Sequence, residues 1–179
     1  MSHPSYTDQI NSKGYREKIW DKPWERWIDY NSQIQNELRS RGEIEFIFPR
    51  VSFYALLNNG EKTLSGAGEG VDGKVESQFF TTLNVISGKT LSNEEDGIIL
   101  GKGLAEALSL NVGDRVTVLS NTHQGSLNAV DVFVTGIFYA GMKSFDDTFF
   151  RIQLSKAQEL LDTTKVETIA IGLDRKSVV

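Results

Sequence analysis

The sequence predicts an α+β fold, and three observations carry that expectation. Short runs with period-two alternation of apolar and polar residues recur along the chain. Asn58-Asn59-Gly60 supplies a hairpin turn between two of them, and the helical stretches interrupt the strands irregularly. Regular strand–helix alternation would instead have pointed to a doubly wound parallel sheet. With 179 residues, the chain is long enough for one domain with a core that needs no staples.

Residues 1–24 are polar and carry His3, Pro4 and Pro23, with Tyr6, Gln9 and Ile10 suited to a short strand. Residues 24–41 read as a helix. Trp24, Trp27, Ile28, Ile34 and Leu38 recur at helical spacing, Asp21 and Pro23 suit its start, and Gly42 stands where a helix-ending glycine would. Trp20, Trp24 and Trp27 cluster here, which predicts a large apolar face packed on a sheet. Residues 43–57 alternate as a strand: Ile44, Phe46 and Phe48 on one face, then Val51, Phe53 and Ala55 after Pro49. Pro49 has no N–H to donate, so an edge, bend or bulge is expected there. A second strand is expected from residue 61 to 67. Gly66, Gly68, Gly70 and Gly73 then read as a bulged strand end and turn, because they match neither G-x-G-x-x-G nor a phosphate loop with a following Lys-Ser/Thr.

Residues 75–84 read as a short helix with Val75, Phe79, Phe80 and Leu83 inward, ended by a turn at Gly88. Ile98, Ile99 and Leu100 form a short buried strand, and Gly101 and Gly103 open a helix to about residue 110 with Leu104, Ala107 and Leu108 on its apolar side. The run Asn-Val-Gly-Asp at 111–114 is a turn, followed by a strand from Val116 to Leu119 and a polar loop at 120–128. Val130, Val132 and Val134 alternate in a strand that reaches Tyr139. A loop at 141–147, a strand at 149–154, a helix at 156–162 capped by Ser155 and carrying Ala157, Leu160 and Leu161, and a last strand at 166–173 complete the chain.

Composition narrows the chemistry. The net charge is −5 and the 19 basic residues are scattered, with no run longer than Arg175–Lys176, so neither nucleic acid nor an anionic membrane surface is an expected partner. Cysteine is absent, which removes disulfides and thiolate catalysis. No apolar run approaches the roughly 20 residues that cross a bilayer, and Met-Ser-His-Pro-Ser does not open a signal peptide. Both ends are polar, which suggests a soluble piece of something larger. Gly97 to Gly103 imitates a nucleotide loop, but counting back from Gly101-Lys102 lands on Asp96, and Gly103 stands where the magnesium-binding hydroxyl belongs. The two histidines, His3 and His123, do not form a metal cluster, and His123 with Asp131 supplies one imidazole and one carboxylate only. Asp146 and Asp147 are adjacent and read as turn and cap residues, not as a divided acid–base pair. No catalytic, metal or cofactor residue is assigned.

Residues 97–118, Gly-Ile-Ile-Leu-Gly-Lys-Gly-Leu-Ala-Glu-Ala-Leu-Ser-Leu-Asn-Val-Gly-Asp-Arg-Val-Thr-Val, resemble the signature of the MacB-like periplasmic core domain. That domain occurs in MacB, in the lipoprotein-releasing LolC and LolE, and in related FtsX-type permeases. The shared pattern is a short hydrophobic strand, Gly-x-x-Leu-Ala-x-x-Leu-x-Leu, then x-Gly-Asp and a strand. Other segments are similar in the same order: Gln9-Ile10 with Gly14-Tyr15, residues 42–57, Gly70-Val71-Asp72 with Ile86-Ser87-Gly88, Val134 to Phe138, Gly141, Phe145-Asp146 and residues 155–161. The resemblance implies a two-lobed domain. Residues 1–90 and 146–179 would form a discontinuous porter-like α/β sandwich lobe, and residues 91–145 a smaller β-rich lobe. It also implies a place between the first two membrane helices of an ABC transporter permease, on the periplasmic or other extracytoplasmic face of a bacterial inner membrane. The implied partners are a cytoplasmic ATPase that binds the ATP, a second permease copy or paralogue, and a periplasmic adaptor or carrier. The implied role is non-catalytic: to bind a partner or substrate and transmit ATP-driven motion for efflux or for lipoprotein or lipid export.

LolC-type domains carry a longer projecting hairpin that hooks a lipoprotein carrier, whereas the matching connection here, 120–129, is short. Thr122, His123, Gln124 and Leu127 occupy it and are the expected partner contacts. Two other readings are open at this stage. One is a free-standing ligand-binding domain with Trp20, Trp24 and Trp27 as a sugar or peptide platform. The other is a hydrolase using Asp146, Asp147 or His123.

Overall fold

The computed structural model describes residues 27–79, 83–92 and 96–173. The elements, in chain order, are α1 (Ser32–Ser40), β1 (Ile44–Asn58), β2 (Thr63–Val71), α2 (Gly73–Phe79), β3 (Asn84–Gly88), β4 (Gly97–Gly101) and α3 (Lys102–Ala107). They continue with β5 (Arg115–Asn121), β6 (Leu127–Tyr139), α4 (Lys143–Asp146), β7 (Phe149–Gln153), α5 (Leu154–Leu161) and β8 (Thr168–Leu173). The fold is α+β, as expected. The readings that involve Tyr6, Gln9, Ile10, Trp20, Trp24 and Phe80 lie outside the described residues.

Among the described residues, the eight strands form one sheet in the order β2-β7-β4-β6-β5-β1-β8, with β3 added to β6. Because β1 also pairs with β2, six of them close into a ring, β1-β2-β7-β4-β6-β5. Two of its seams are parallel, β2–β7 and β4–β6, and the rest are antiparallel. Strands β4, β5 and β6 come from the segment expected as the β-rich lobe, and they hydrogen-bond to β7 and β1 of the other segment within the same sheet. Closure removes most open edges from the ring.

The ring's interior is the main core. Val51, Phe53, Leu57, Ile98, Leu100, Val118, Val132, Phe150 and Ile152 face inward, and α5 closes over them with Ala157, Leu160 and Leu161. α3 adds Leu104, Ala105 and Leu108. Each fully buried side chain of this kind contributes roughly 1.5–3 kcal/mol. Ala105 is buried and Ala107 exposed, which reverses the expected apolar side of α3 at those two positions. The helix stops at Ala107, and Leu108 and Leu110 enter the core from the turn that follows.

Several local expectations hold and several are corrected. The hairpin at Asn58-Asn59-Gly60 forms, with Gly60 at φ +96°. Asn59 stabilises it by accepting the N–H groups of Glu61 and Lys62 and donating to the Leu108 carbonyl. Among the described residues Pro49 pairs on one side only, with Ile169 of β8, because pairing with β2 begins at Arg50; β1 is thus an edge there, as expected, and the ladder irregularity falls at Ile44/Phe46. Pro49 also marks a change of side. Phe48 is buried on one parity, and Val51, Phe53, Ala55 and Leu57 on the other. The glycines of β2 are not a turn. Gly66, Gly68 and Gly70 are buried within a regular strand, where a Cβ on Gly68 would stand 2.5 Å from Phe150 and 2.7 Å from Phe53. Here the space demanded by two phenylalanine rings overrides the weak strand propensity of glycine.

The expected helix from 24 to 41 is described only from Ser32. Asn31 caps it, its side chain accepting the Ile34 N–H at 3.1 Å. Ile28 is extended and bridges Val166, and Trp27 packs on the main core, while α1 itself buries no residue. The helix ends through Arg41, whose N–H bonds the Leu38 carbonyl, and Gly42 takes no left-handed conformation. Ser155 is not the cap of α5, which starts at Leu154, two residues earlier than expected, with Gln153 in the cap position. The Gln153 side chain is used elsewhere: Oε1 accepts the Gly73 N–H and Nε2 donates to the Ser92 carbonyl. β3 and the single-turn α4 carry too few residues to show a periodicity and were not expected as elements.

Candidate functional site

The residues expected to meet a partner sit at the tip of the β5–β6 hairpin. Pairing runs without slippage from Arg115↔Phe133 to Asn121↔Leu127, so only residues 122–126 remain for the turn. Thr122 closes it from both sides: its N–H donates to the Ser126 carbonyl at 2.7 Å, and its Oγ1 accepts the Ser126 N–H at 3.1 Å. Gly125 takes φ +88°, the conformation that a turn this tight requires. Thr122 is buried, His123 half-buried, and Gln124 exposed, while Leu127 is 68 % exposed.

The turn is anchored to the end of α5. The His123 N–H donates to the Leu161 carbonyl at 3.2 Å, and its Nδ1 lies 3.3 Å from the same oxygen. Asn128 donates to the Glu159 and Leu160 carbonyls. The last turn of a helix leaves its carbonyls without intrahelical partners, and this hairpin supplies them. Asp162, left-handed at φ +52°, then turns the chain away.

Beside the hairpin, the wall of the ring is thin. β1 leaves β8 at Arg50 and meets β5 only from Leu56. Side chains bridge part of the interval. Glu167 accepts the Ser52 N–H at 3.1 Å, and the Ser120 hydroxyl donates to the Tyr54 carbonyl at 2.8 Å. A cavity of about 620 Å³ opens here, with Trp27, Phe53, Tyr54, His123, Phe149 and Leu161 among its walls. Tyr54 is 85 % exposed, and Thr122, His123 and Gly125 of the hairpin turn line the same cavity.

A second feature has no sequence signature. Arg50 of β1, Glu69 of β2, Glu76 of α2 and Arg151 of β7 meet in a nearly buried cluster. Arg50 reaches Glu76 through Nε at 2.8 Å and Nη2 at 2.7 Å, and Arg151 Nε reaches Glu69 at 2.8 Å. Loss of water around Glu76 raises its pKa above the usual carboxylate range, against the lowering pull of Arg50 and Arg151. The alternation of β1 and β2 marks Arg50 and Glu69 as outward-facing, but only the packed helix α2 shows that this outer face is covered.

The remaining candidates are engaged separately. Asp146 ends α4 and accepts the Ala140 N–H at 2.8 Å, while Asp147 pairs with Lys143. Asp131 accepts from Arg115 and Thr117, and these contacts, with Thr117 the largest, hold its carboxyl below the usual range. No group of three or more His, Asp or Glu among the described residues is placed to hold a metal. No helix among them is long and apolar enough to cross a membrane.

Known proteins share this fold. The MacB-like periplasmic core domain family matches residues 5–178. The lipoprotein-releasing system transmembrane protein LolE of Haemophilus influenzae is 31% identical over 100 residues, 55% of this chain and 24% of that protein. The chain thus matches about a quarter of that relative's length. The extracellular domain of the noncanonic ABC-type transporter YknZ from Gram-positive bacteria superposes with a TM-score of 0.61 at 13% identity, covering 81% of this chain and 73% of that one. The periplasmic region of MacB from Actinobacillus actinomycetemcomitans gives 0.60 at 14% identity, over 87% and 71%. At such identities these two structures establish the shared fold, and the match along nearly the whole sequence establishes the family: this chain is a MacB-like periplasmic core domain.

Proposed function

We propose that the chain serves as the extracytoplasmic domain of an ABC transporter permease. In this reading it binds a partner or substrate outside the membrane and passes on motion driven by an ATPase on the other side. It is not itself an enzyme. The family match over residues 5–178 carries the reading. The build of the β5–β6 hairpin supports it: an exposed tip, polar at Gln124 and apolar at Leu127, held through His123 and Asn128 to the end of α5. A tip tied to a helix moves with that helix and can transmit a rigid-body displacement. The short turn favours contact through the tip and the adjoining Tyr54 surface over the hooking of a carrier. Export of a lipoprotein, a lipid or a small molecule is compatible with this surface. The ATP belongs to a cytoplasmic subunit, and a second permease copy completes the assembly.

The absence of cysteine makes a direct test simple, because Leu127→Cys creates a unique label within this domain. In intact cells carrying the whole parent protein, a membrane-impermeant maleimide should label this cysteine from outside. In the reconstituted permease with its ATPase, a spin label there should change mobility or distance when ATP is added. A site protected from external reagent would remove the extracytoplasmic placement, and a label indifferent to nucleotide would remove the transmitting role.

A further inference from the structure

One edge of β1 is open over part of its length. On that edge, pairing with β8 ends at Arg50↔Thr168 and pairing with β5 begins at Leu56↔Leu119, while β2 occupies the opposite edge from Arg50 to Asn58. The open interval, residues 51–55, spans about 17 Å at the ordinary rise of a strand. Within it, Ser52 and Tyr54 turn their main-chain groups to the open side, because they share the parity of Arg50 and Leu56, which pair there. Side chains take two of these four groups. Glu167 accepts the Ser52 N–H, and the Ser120 hydroxyl donates to the Tyr54 carbonyl. Among the described residues, neither a ladder nor a side chain takes the Ser52 carbonyl or the Tyr54 N–H. An acceptor and a donor thus stand side by side on a strand edge. Ser52 and Tyr54 are both exposed, and so is the contact between Ser52 and Glu167. The cavity of about 620 Å³ opens at the same interval, within the usual range for ligand sites.

We propose that this edge binds an extended peptide segment, which adds as a short strand parallel to β1 and centred opposite Phe53. One ligand residue donates its N–H to the Ser52 carbonyl and accepts the Tyr54 N–H on its own carbonyl, the pairing of a parallel ladder. Its side chain falls on the same face as that of Phe53, which belongs to the main core, and so enters the cavity. Trp27, Phe53 and Leu161 on the wall select an apolar side chain there. Among the described residues of that wall, Glu167 carries the only formal charge. A basic ligand residue on the N-terminal side, next to Ser52, is therefore favoured over an acidic one. The segment that pairs is short, because the Glu167 and Ser120 side chains close the lane on either side. The inference goes beyond the transport reading and does not rest on it, since the edge is complete in the isolated chain.

The test is an amide-resonance titration of the isotopically labelled chain with the blocked pentapeptide acetyl-Thr-Lys-Leu-Thr-Ser-amide. The resonances of Ser52 and Tyr54 should shift saturably. Methylating the main-chain nitrogen of the peptide's leucine removes the donor and keeps the side chain, and it should weaken binding about tenfold or more. Replacing that leucine by aspartate should weaken it as much. Tyr54→Pro removes the protein's donor on the open edge while leaving the ladder with β2 intact, and it should abolish the response. If Tyr54→Pro fails to fold, the methylated peptide still decides. No saturable shift, equal binding of the methylated peptide, equal binding of the aspartate peptide, or a response that survives in folded Tyr54→Pro would each overturn the site.

Discussion

Gly68 stands between two phenylalanine rings, those of Phe53 and Phe150, whose centroids are 5.8 Å apart in an edge-on pair. A methyl group there has no void to enter. Gly68→Ala should therefore destabilise the fold by about 2 kcal/mol or more through overpacking, read as a fall in the urea midpoint at unchanged slope. Within the charge cluster, the two partners of one ion pair should respond unequally. Arg50→Met leaves Glu76 buried without its main partner and should cost about 3 kcal/mol or more. Glu76→Gln should cost distinctly less, because the raised pKa shows that the folded site favours the uncharged carboxyl relative to water. The sign of the pH effect follows. Between neutral pH and the ordinary glutamate value of about 4.3, folded Glu76 takes up its proton before the unfolded chain does. The wild type should thus gain stability relative to Glu76→Gln as pH falls through that window. Denaturation curves for both proteins at several pH values check it, and a wild type that loses ground would contradict it.

At the scale of elements, the contact of α5 with β2 sets how tightly the ring is closed. A Cβ on Gly70 would lie 2.3 Å from the Cβ of Ala157, so helix and strand backbones approach as closely as a missing side chain allows. Gly70→Ala should lower the midpoint of thermal unfolding, and adding Ala157→Gly should restore part of the loss. A coupling near zero in that double-mutant cycle would show that the contact is not shared. The β5–β6 hairpin and α5 are joined by a different logic, polar rather than steric. His123 and Asn128 satisfy the carbonyls of residues 159–161, which explains why a turn with so exposed a tip is held in one place. Asn128→Ala should fray the last turn of α5, seen as faster amide exchange there, and should leave the β4–β7 seam unchanged.

Across the whole molecule, closure of six strands into one ring means that no line divides the sheet without breaking a ladder. The segment 91–145 shares three seams with the rest, β4–β7, β1–β5 and β3–β6. Unfolding should accordingly be cooperative, with far-ultraviolet dichroism and tryptophan fluorescence giving coincident transitions. Two separated transitions would show instead that the expected β-rich lobe melts as a unit of its own. In a permease, a domain of the first kind moves as a single body, which suits the transmission proposed for it.

The sequence by itself determined what adjacent residues can decide. Asn-Asn-Gly placed the first hairpin, alternating valines placed β6, the apolar run at 98–100 placed β4, and the ordered motif from 97 to 118 led to the family. These are local signals, since turn conformation and face periodicity depend on neighbours a few residues apart. The tertiary structure alone decided the rest. It showed that the glycines of β2 make room for Phe53, Phe150 and Ala157. It showed that Gln153 and His123 serve distant backbone groups, and that Arg50, Glu69, Glu76 and Arg151 meet under α2. Periodicity reports which face is covered but not what covers it. A charge or a glycine acquires its role only when segments far apart in sequence are brought into contact.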